Sequence, residues 1–135
     1  MKVLITGANG MLGSTLCRLY NNEHEVYAFH RDKVSLSLCA EDYSLELMNS
    51  NELDAQFGQI KPDLLIHCAS LTNVDDCEKR PLQANDANVV VTENIARACS
   101  NKTKLIYIST DQVYGAEVDH AEVNMNLRPI NQYGK

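Results

Sequence analysis

The chain has 135 residues and a mass of 15.1 kDa, which is room for one domain with a real core and too little for two. Hydrophobic residues make up 44% and charged residues 22%, the balance of a folded globular protein and not of a disordered one. Twelve Lys and Arg against eighteen Asp and Glu leave a net charge of -6, which argues against a nucleic-acid partner gripped by its phosphates.

Lys2–Thr6 (KVLIT) is short, apolar and β-branched, and Gly7 follows it, so it reads as a buried strand entering a tight turn. A helix pattern starts at Gly10, with Leu12, Leu16 and Leu19 as its apolar face, and ends near Asn21-Asn22. Glu25–His30 (EVYAFH) reads as the second strand. A short third strand is expected around Ser44–Leu47. Asn49 and Glu52 stand at capping-box spacing and open a helix that runs to about Gln59, where Lys61-Pro62-Asp63 stops it. Leu64–Ala69 (LLIHCA) is the next buried strand. A polar loop with Asp75-Asp76 leads into a long helix over residues 81–100, faced by Ala87, Val91, Ile95 and Ala98. Leu105–Ser109 is a further strand, and beyond Asp119 the pattern is polar and irregular.

This β-α-β-(β)-α-β-α-β order, with strands too apolar for one wet face, predicts an α/β fold: a doubly wound parallel sheet covered on both sides. Ligands bind such sheets at the C-terminal ends of the strands. The N-terminus shows no signal-peptide pattern, and no apolar run approaches the ~18 residues of a membrane span. A cytoplasmic protein without a membrane partner is the expectation. The five cysteines (17, 39, 68, 77 and 99) form no CxxC pair and share no ligand spacing with the histidines. They read as reduced thiols, and no metal is expected.

Gly7-Ala8-Asn9-Gly10-Met11-Leu12-Gly13 lies between the first strand and the first helix. Gly7 suits the sharp turn, and Gly10 lets backbone approach a pyrophosphate at the helix N-terminus. Gly13 permits close helix–strand packing. The spacing is GxxGxxG, and its placement makes it a dinucleotide signal. The second strand ends in His30-Arg31 and not in a carboxylate. Arg31 suits a 2′-phosphate, so NADP(H) is favoured over NAD(H). Asp32 is the residue that would reverse this preference by turning inward.

Four segments now resemble one family. They are the glycine loop; PDLLIHCASLTNVDDCE, similar to PDxxINAAAxTxVDxAE; STDQVYG, similar to STDYVFxG; and RPINQYGK, similar to PxNxYGxxK. The family is the extended short-chain dehydrogenase/reductases, in the branch of dTDP-4-dehydrorhamnose reductases. The resemblance implies a Rossmann-type cofactor domain over residues 1–135 and hydride reduction of a 4-keto sugar nucleotide, dTDP-4-dehydro-6-deoxy-L-mannose to dTDP-L-rhamnose. It implies that Thr110 bonds the keto oxygen, that Tyr133 donates the proton and also meets the cofactor, and that Asp111 contacts substrate. It further assigns Gly10, Met11 and Leu12 to the pyrophosphate, Glu46 and Leu47 to adenine, and Ala69, Ser70, Leu71 and Thr72 to the nicotinamide-side ribose. Asn88 is taken as structural. His67-Cys68-Ala69-Ser70 departs from the branch's Asn-Ala-Ala-Ala.

The branch places a lysine four residues after the tyrosine, position 137 here, and Lys135 lies on the wrong side of a helix to replace it. Enzymes of this kind run to roughly 300 residues, a two-domain length. The 135 residues are therefore expected to stop before the catalytic helix is complete and before the substrate domain, to bind nucleotide without turnover, and to expose apolar sheet surface that favours self-association. Two other readings stay open. One is a non-catalytic regulatory subunit of the same fold, like that of methionine adenosyltransferase. The other is a sugar-nucleotide epimerase or dehydratase.

Overall fold

A computed structural model describes residues 1–31, 39, 41–116 and 120–135. Five strands form one parallel sheet in the order β3-β2-β1-β4-β5. They are β1 (Lys2–Thr6), β2 (Glu25–His30), β3 (Glu41–Ser44), β4 (Leu64–His67) and β5 (Lys104–Tyr107). The chain starts in the middle of the sheet, winds out to β3, then crosses back to β4 and β5. That reversal beside β1 is the switch point at which such sheets open a crevice.

Alternation along the strands builds two core layers. Leu4, Tyr27, Phe29 and Leu65 point to one face and pack with Leu53, Phe57 and Ile60 of α2 (Ser50–Ile60) and with Val91 and Ile95 of α5 (Val91–Ala98). Val3, Ile5, Val26, Ala28, Leu64 and Ile66 point to the other face, under Cys17 of α1 (Met11–Tyr20). The central strands β1, β2 and β4 are thus covered from both sides, as their apolar residues require, whereas β5 leaves Ile106 and Tyr107 exposed.

The sequence reading is corrected in three places. The inner face of α1 is Gly13, Leu16, Cys17 and Tyr20, whereas Leu12 and Leu19 are exposed. The third strand lies at Glu41–Ser44 and not at Ser44–Leu47. It is a polar edge strand, held to the core by Tyr43 edge-on against Phe29. The 81–100 helix is broken. Asn73 caps a separate helix, α3 (Val74–Lys79), by accepting from the Asp76 N–H at 2.9 Å. Then α4 (Pro81–Asn85) passes into a π turn (Asp86–Val90), closed by an i→i+5 bond from the Val91 N–H to the Asp86 carbonyl, before α5. Along this segment Ala84, Val91 and Ile95 are buried and Ala87 is half-buried.

The Asn49 cap forms as expected, with its side chain accepting from the Glu52 N–H at 3.3 Å. Lys61 ends α2 in the left-handed region at φ 51°. All five cysteines are free thiols. Among the described residues, no helix is long and apolar enough to cross a membrane.

Candidate functional site

The glycine loop is built for close approach. Gly7 has φ +65°, and a Cβ there would lie 2.7 Å from the Ala69 nitrogen. Only glycine therefore joins β1 to this turn while the loop after β4 passes beside it. Gly10 caps α1 with no side chain over the helix end, so the first-turn N–H groups point out of the sheet's C-terminal edge. A Cβ on Gly13 would meet the Gly7 carbonyl carbon at 2.8 Å and Ala8 Cα at 2.9 Å, so that glycine seats the helix on the turn.

A cleft of about 580 Å³ opens at this edge. Its floor is Gly7, Asn9 and Gly10. Arg31, Glu46 and Leu47 wall one side, and Cys68, Ala69, Ser70 and Leu71 wall the other. Volume and lining suit an extended dinucleotide. Arg31 stands exposed where the second strand ends, and Asp32 lies outside the described residues.

Met11, Leu12, Gly13, Thr72, Thr110, Asp111 and Tyr133 do not line the cleft. Gly13 acts from behind, by packing. The cleft also holds residues that the sequence reading missed: Arg80, Gln83, Asp86, Ala87 and Val91 from the α3–α5 region. Arg80 pairs with Asp76 at 3.1 Å. Ala87 and Val91 read as plain core in the sequence, and in the structure they reach the cleft wall.

The loop after β4 is held by side chains. Asn88 Oδ1 accepts from the Leu71 N–H at 2.7 Å and from Ser70 Oγ at 3.0 Å, and its Nδ2 donates to the Leu71 carbonyl at 3.0 Å. Cys77 Sγ donates to the same carbonyl at 3.4 Å. The structural role expected of Asn88 is therefore visible as contacts. Burial raises the Cys68 thiol's pKa, which disfavours a reactive thiolate in the cleft wall.

Thr110 and Tyr133 stand on two segments that are bolted together. Thr110 Oγ1 accepts from the Gln112 N–H at 3.2 Å and donates to Asp111 Oδ1 at 3.3 Å, capping a single 3₁₀ turn (Asp111–Val113). Asn131 Nδ2 donates to Gln112 Oε1 at 2.9 Å, and Asn131 Oδ1 accepts from the Gly134 N–H at 2.8 Å. Gly134 packs so tightly that a Cβ would lie 2.8 Å from the Gln112 carbonyl carbon. Glu78 of α3 accepts from the Gln132 N–H at 2.7 Å. Half-buried Tyr133 thus sits in a turn fixed from two sides.

The description "RmlD substrate binding domain" is that of the family model that matches residues 1–135. The chain is 32% identical to the dTDP-4-dehydrorhamnose reductase of Mycolicibacterium smegmatis, over 99% of this chain and 38% of that protein. It is equally 32% identical to the methionine adenosyltransferase 2 subunit beta of Bos taurus, over 99% of this chain and 40% of that protein. A crystal structure of the Bacillus anthracis dTDP-4-dehydrorhamnose reductase in complex with NADP superposes with a TM-score of 0.85 at 34% identity, covering 98% of this chain and 45% of that one. The chain therefore spans less than half the length of these relatives.

Proposed function

We propose a function from one premise: the chain belongs to the RmlD substrate binding domain family, within the extended short-chain dehydrogenase/reductase group of sugar-nucleotide reductases and epimerases. On our reading, residues 1–135 are the dinucleotide-binding part of an NADPH-dependent 4-ketoreductase acting on a nucleotide sugar. The proposed reaction converts dTDP-4-dehydro-6-deoxy-L-mannose to dTDP-L-rhamnose, in the cytoplasm. The observation that carries the cofactor reading is the cleft itself, floored by Gly7 and Gly10 and flanked by Arg31 and Glu46.

When bound, NADPH supplies a hydride to the carbonyl carbon. Gly10, Met11 and Leu12 hold the pyrophosphate with backbone N–H groups, aided by the helix dipole. Arg31 pairs with the 2′-phosphate. Glu46 and Leu47 border the adenine, and residues 69–72 border the nicotinamide-side ribose. Thr110 donates a hydrogen bond to the keto oxygen, Asp111 orients the sugar, and Tyr133 gives its phenolic proton to that oxygen as it becomes a hydroxyl. The bracing of the Tyr133 turn by Glu78, Asn131 and Gly134 supports this assignment, since proton donation demands a fixed donor.

The equal identity to methionine adenosyltransferase 2 subunit beta favours a second reading, a dinucleotide-binding regulatory subunit. Mixing the full-length protein with NADPH and the 4-keto sugar nucleotide separates the two. Consumption of NADPH that Tyr133→Phe abolishes supports the reductase. NADPH binding without turnover supports the regulator.

A further inference from the structure

We infer that His67 is a positioning residue. Fixed in its Nε2–H tautomer, it ties β1 to the π turn and so holds the Ala69–Leu71 loop along the cleft.

The tautomer follows from where each proton goes along a chain of side-chain contacts. Thr92 Oγ1 lies 2.6 Å from the Asn88 carbonyl oxygen, which only accepts, so the Thr92 hydroxyl proton is committed there. His67 Nε2 lies 3.1 Å from the same Oγ1, so Nε2–H is the donor. A neutral imidazole then has a bare Nδ1. That nitrogen accepts from the Thr6 hydroxyl at 2.6 Å. Thr6 Oγ1 in turn accepts from the Ala69 N–H at 3.3 Å. Every donor along the chain has one acceptor, and no proton is left over.

The two ends of this chain grip one loop. At one end Thr6 holds the Ala69 amide. At the other, Thr92 pins the Asn88 carbonyl, and the Asn88 side chain holds Ser70 and both backbone groups of Leu71. His67 is the only link between the two ends among these contacts. An asparagine, which the resembling branch has at this position, carries its donor and acceptor on one carbon. The imidazole carries them on opposite edges, which lets it span Thr6 and Thr92 together. The ring is 1% exposed and packs at a tilt against Tyr107, with centroids 5.6 Å apart. Burial also lowers its pKa to about 4, which keeps it neutral at pH 7.

The inference rests on the dinucleotide reading, because the loop matters for affinity only if the cofactor lies along it. The test uses the ¹⁵N-labelled 135-residue chain. Long-range imidazole ¹H–¹⁵N spectra at pH 7 report the tautomer, amide exchange at Leu71 reports the loop, and calorimetry with NADPH reports affinity. Thr92→Val, near-isosteric and half-buried, breaks the chain while sparing the core. It is expected to speed Leu71 exchange and to weaken NADPH binding about five-fold, the effect of roughly one hydrogen bond. His67→Asn is expected to do the same. An Nδ1–H tautomer or an imidazolium overturns the relay, as do wild-type exchange and affinity in Thr92→Val. A wild-type chain with the expected tautomer that binds no NADPH instead overturns the dinucleotide reading and the cofactor role of the relay with it.

Discussion

Replacing Gly13 by alanine adds one carbon atom where the structure has no room for it. The new Cβ would stand 2.8 Å from the Gly7 carbonyl carbon and 2.9 Å from Ala8 Cα. Carbon atoms pack at ~3.5 Å or more, and the Gly7 carbonyl oxygen would stand closer still, so α1 must retreat by about 1 Å. The neighbours are backbone, so no side chain can swing aside. Overpacking of this kind costs about 1–3 kcal/mol. Alanine recovers about 1 kcal/mol as the better helix former. A net loss of up to about 2 kcal/mol lowers the melting temperature by up to about 8 °C in a domain of this size. The retreat also withdraws the helix N-terminal amides from the cleft, and NADPH affinity should fall about ten-fold, the effect of roughly one charge-assisted hydrogen bond. Gly58→Ala is the control. It lies exposed in α2 with nothing within 4 Å of its Cβ, so the same chemical change should stabilise by about 0.5–1 kcal/mol. Circular-dichroism melts with and without NADPH read both variants. A Gly13→Ala chain that melts at or above wild type, with unchanged affinity, refutes the packing argument.

Arg31→Ala should weaken NADPH by about ten-fold or more and leave NADH nearly unchanged, because only NADPH carries the 2′-phosphate; equal losses for both would remove Arg31 from that role. His67 gives a pH signature. Its pKa falls from about 6.5 unfolded to about 4 folded, so its stabilising contribution is complete above pH 6.5 and is lost as the pH drops through 4. Urea unfolding should show the gap between wild type and His67→Asn shrinking by about 3 kcal/mol from pH 7 to pH 4, and a constant gap would contradict it. Glu78→Ala should free the Gln132 amide, raising its exchange rate and, in the full-length protein, lowering kcat with little change in KM; unchanged exchange would deny Glu78 that task.

Much of the fold was legible because local chemistry and tertiary context agree. KVLIT followed by Gly7 is a buried strand before a positive-φ turn on either basis. Asn49 with Glu52 starts a helix wherever it is placed. The third strand was misplaced because Leu45 and Leu47 alternate like a strand, while the true strand, Glu41–Ser44, is a polar edge whose only large apolar anchor is Tyr43. The face of α1 was misread because leucine carries more apolar weight than Gly13 and Cys17, yet small residues are what a helix pressed on a turn can bury. The start of α3 had a signal, Asn73 three residues before Asp76. The π turn had none, because one extra residue in a helical hydrogen-bond ladder is marked by no residue type or spacing. The joining of the Thr110 segment to the Tyr133 turn had no local signal in the sequence. The contacts that produce it, Gln112 with Asn131 and Glu78 with Gln132, join residues 19 and 54 apart in the chain.

The central claim is that a dinucleotide lies along the cleft from Gly10 to Leu71. Amide chemical shifts of the ¹⁵N-labelled chain, followed during an NADPH titration, test it most directly. The account predicts saturable shifts concentrated at Gly7, Gly10, Met11, Leu12, Arg31, Leu47 and Ala69–Leu71, with weaker saturation by NADH. No saturable shift, or shifts confined to the opposite edge near Glu25 and Lys61, would contradict it.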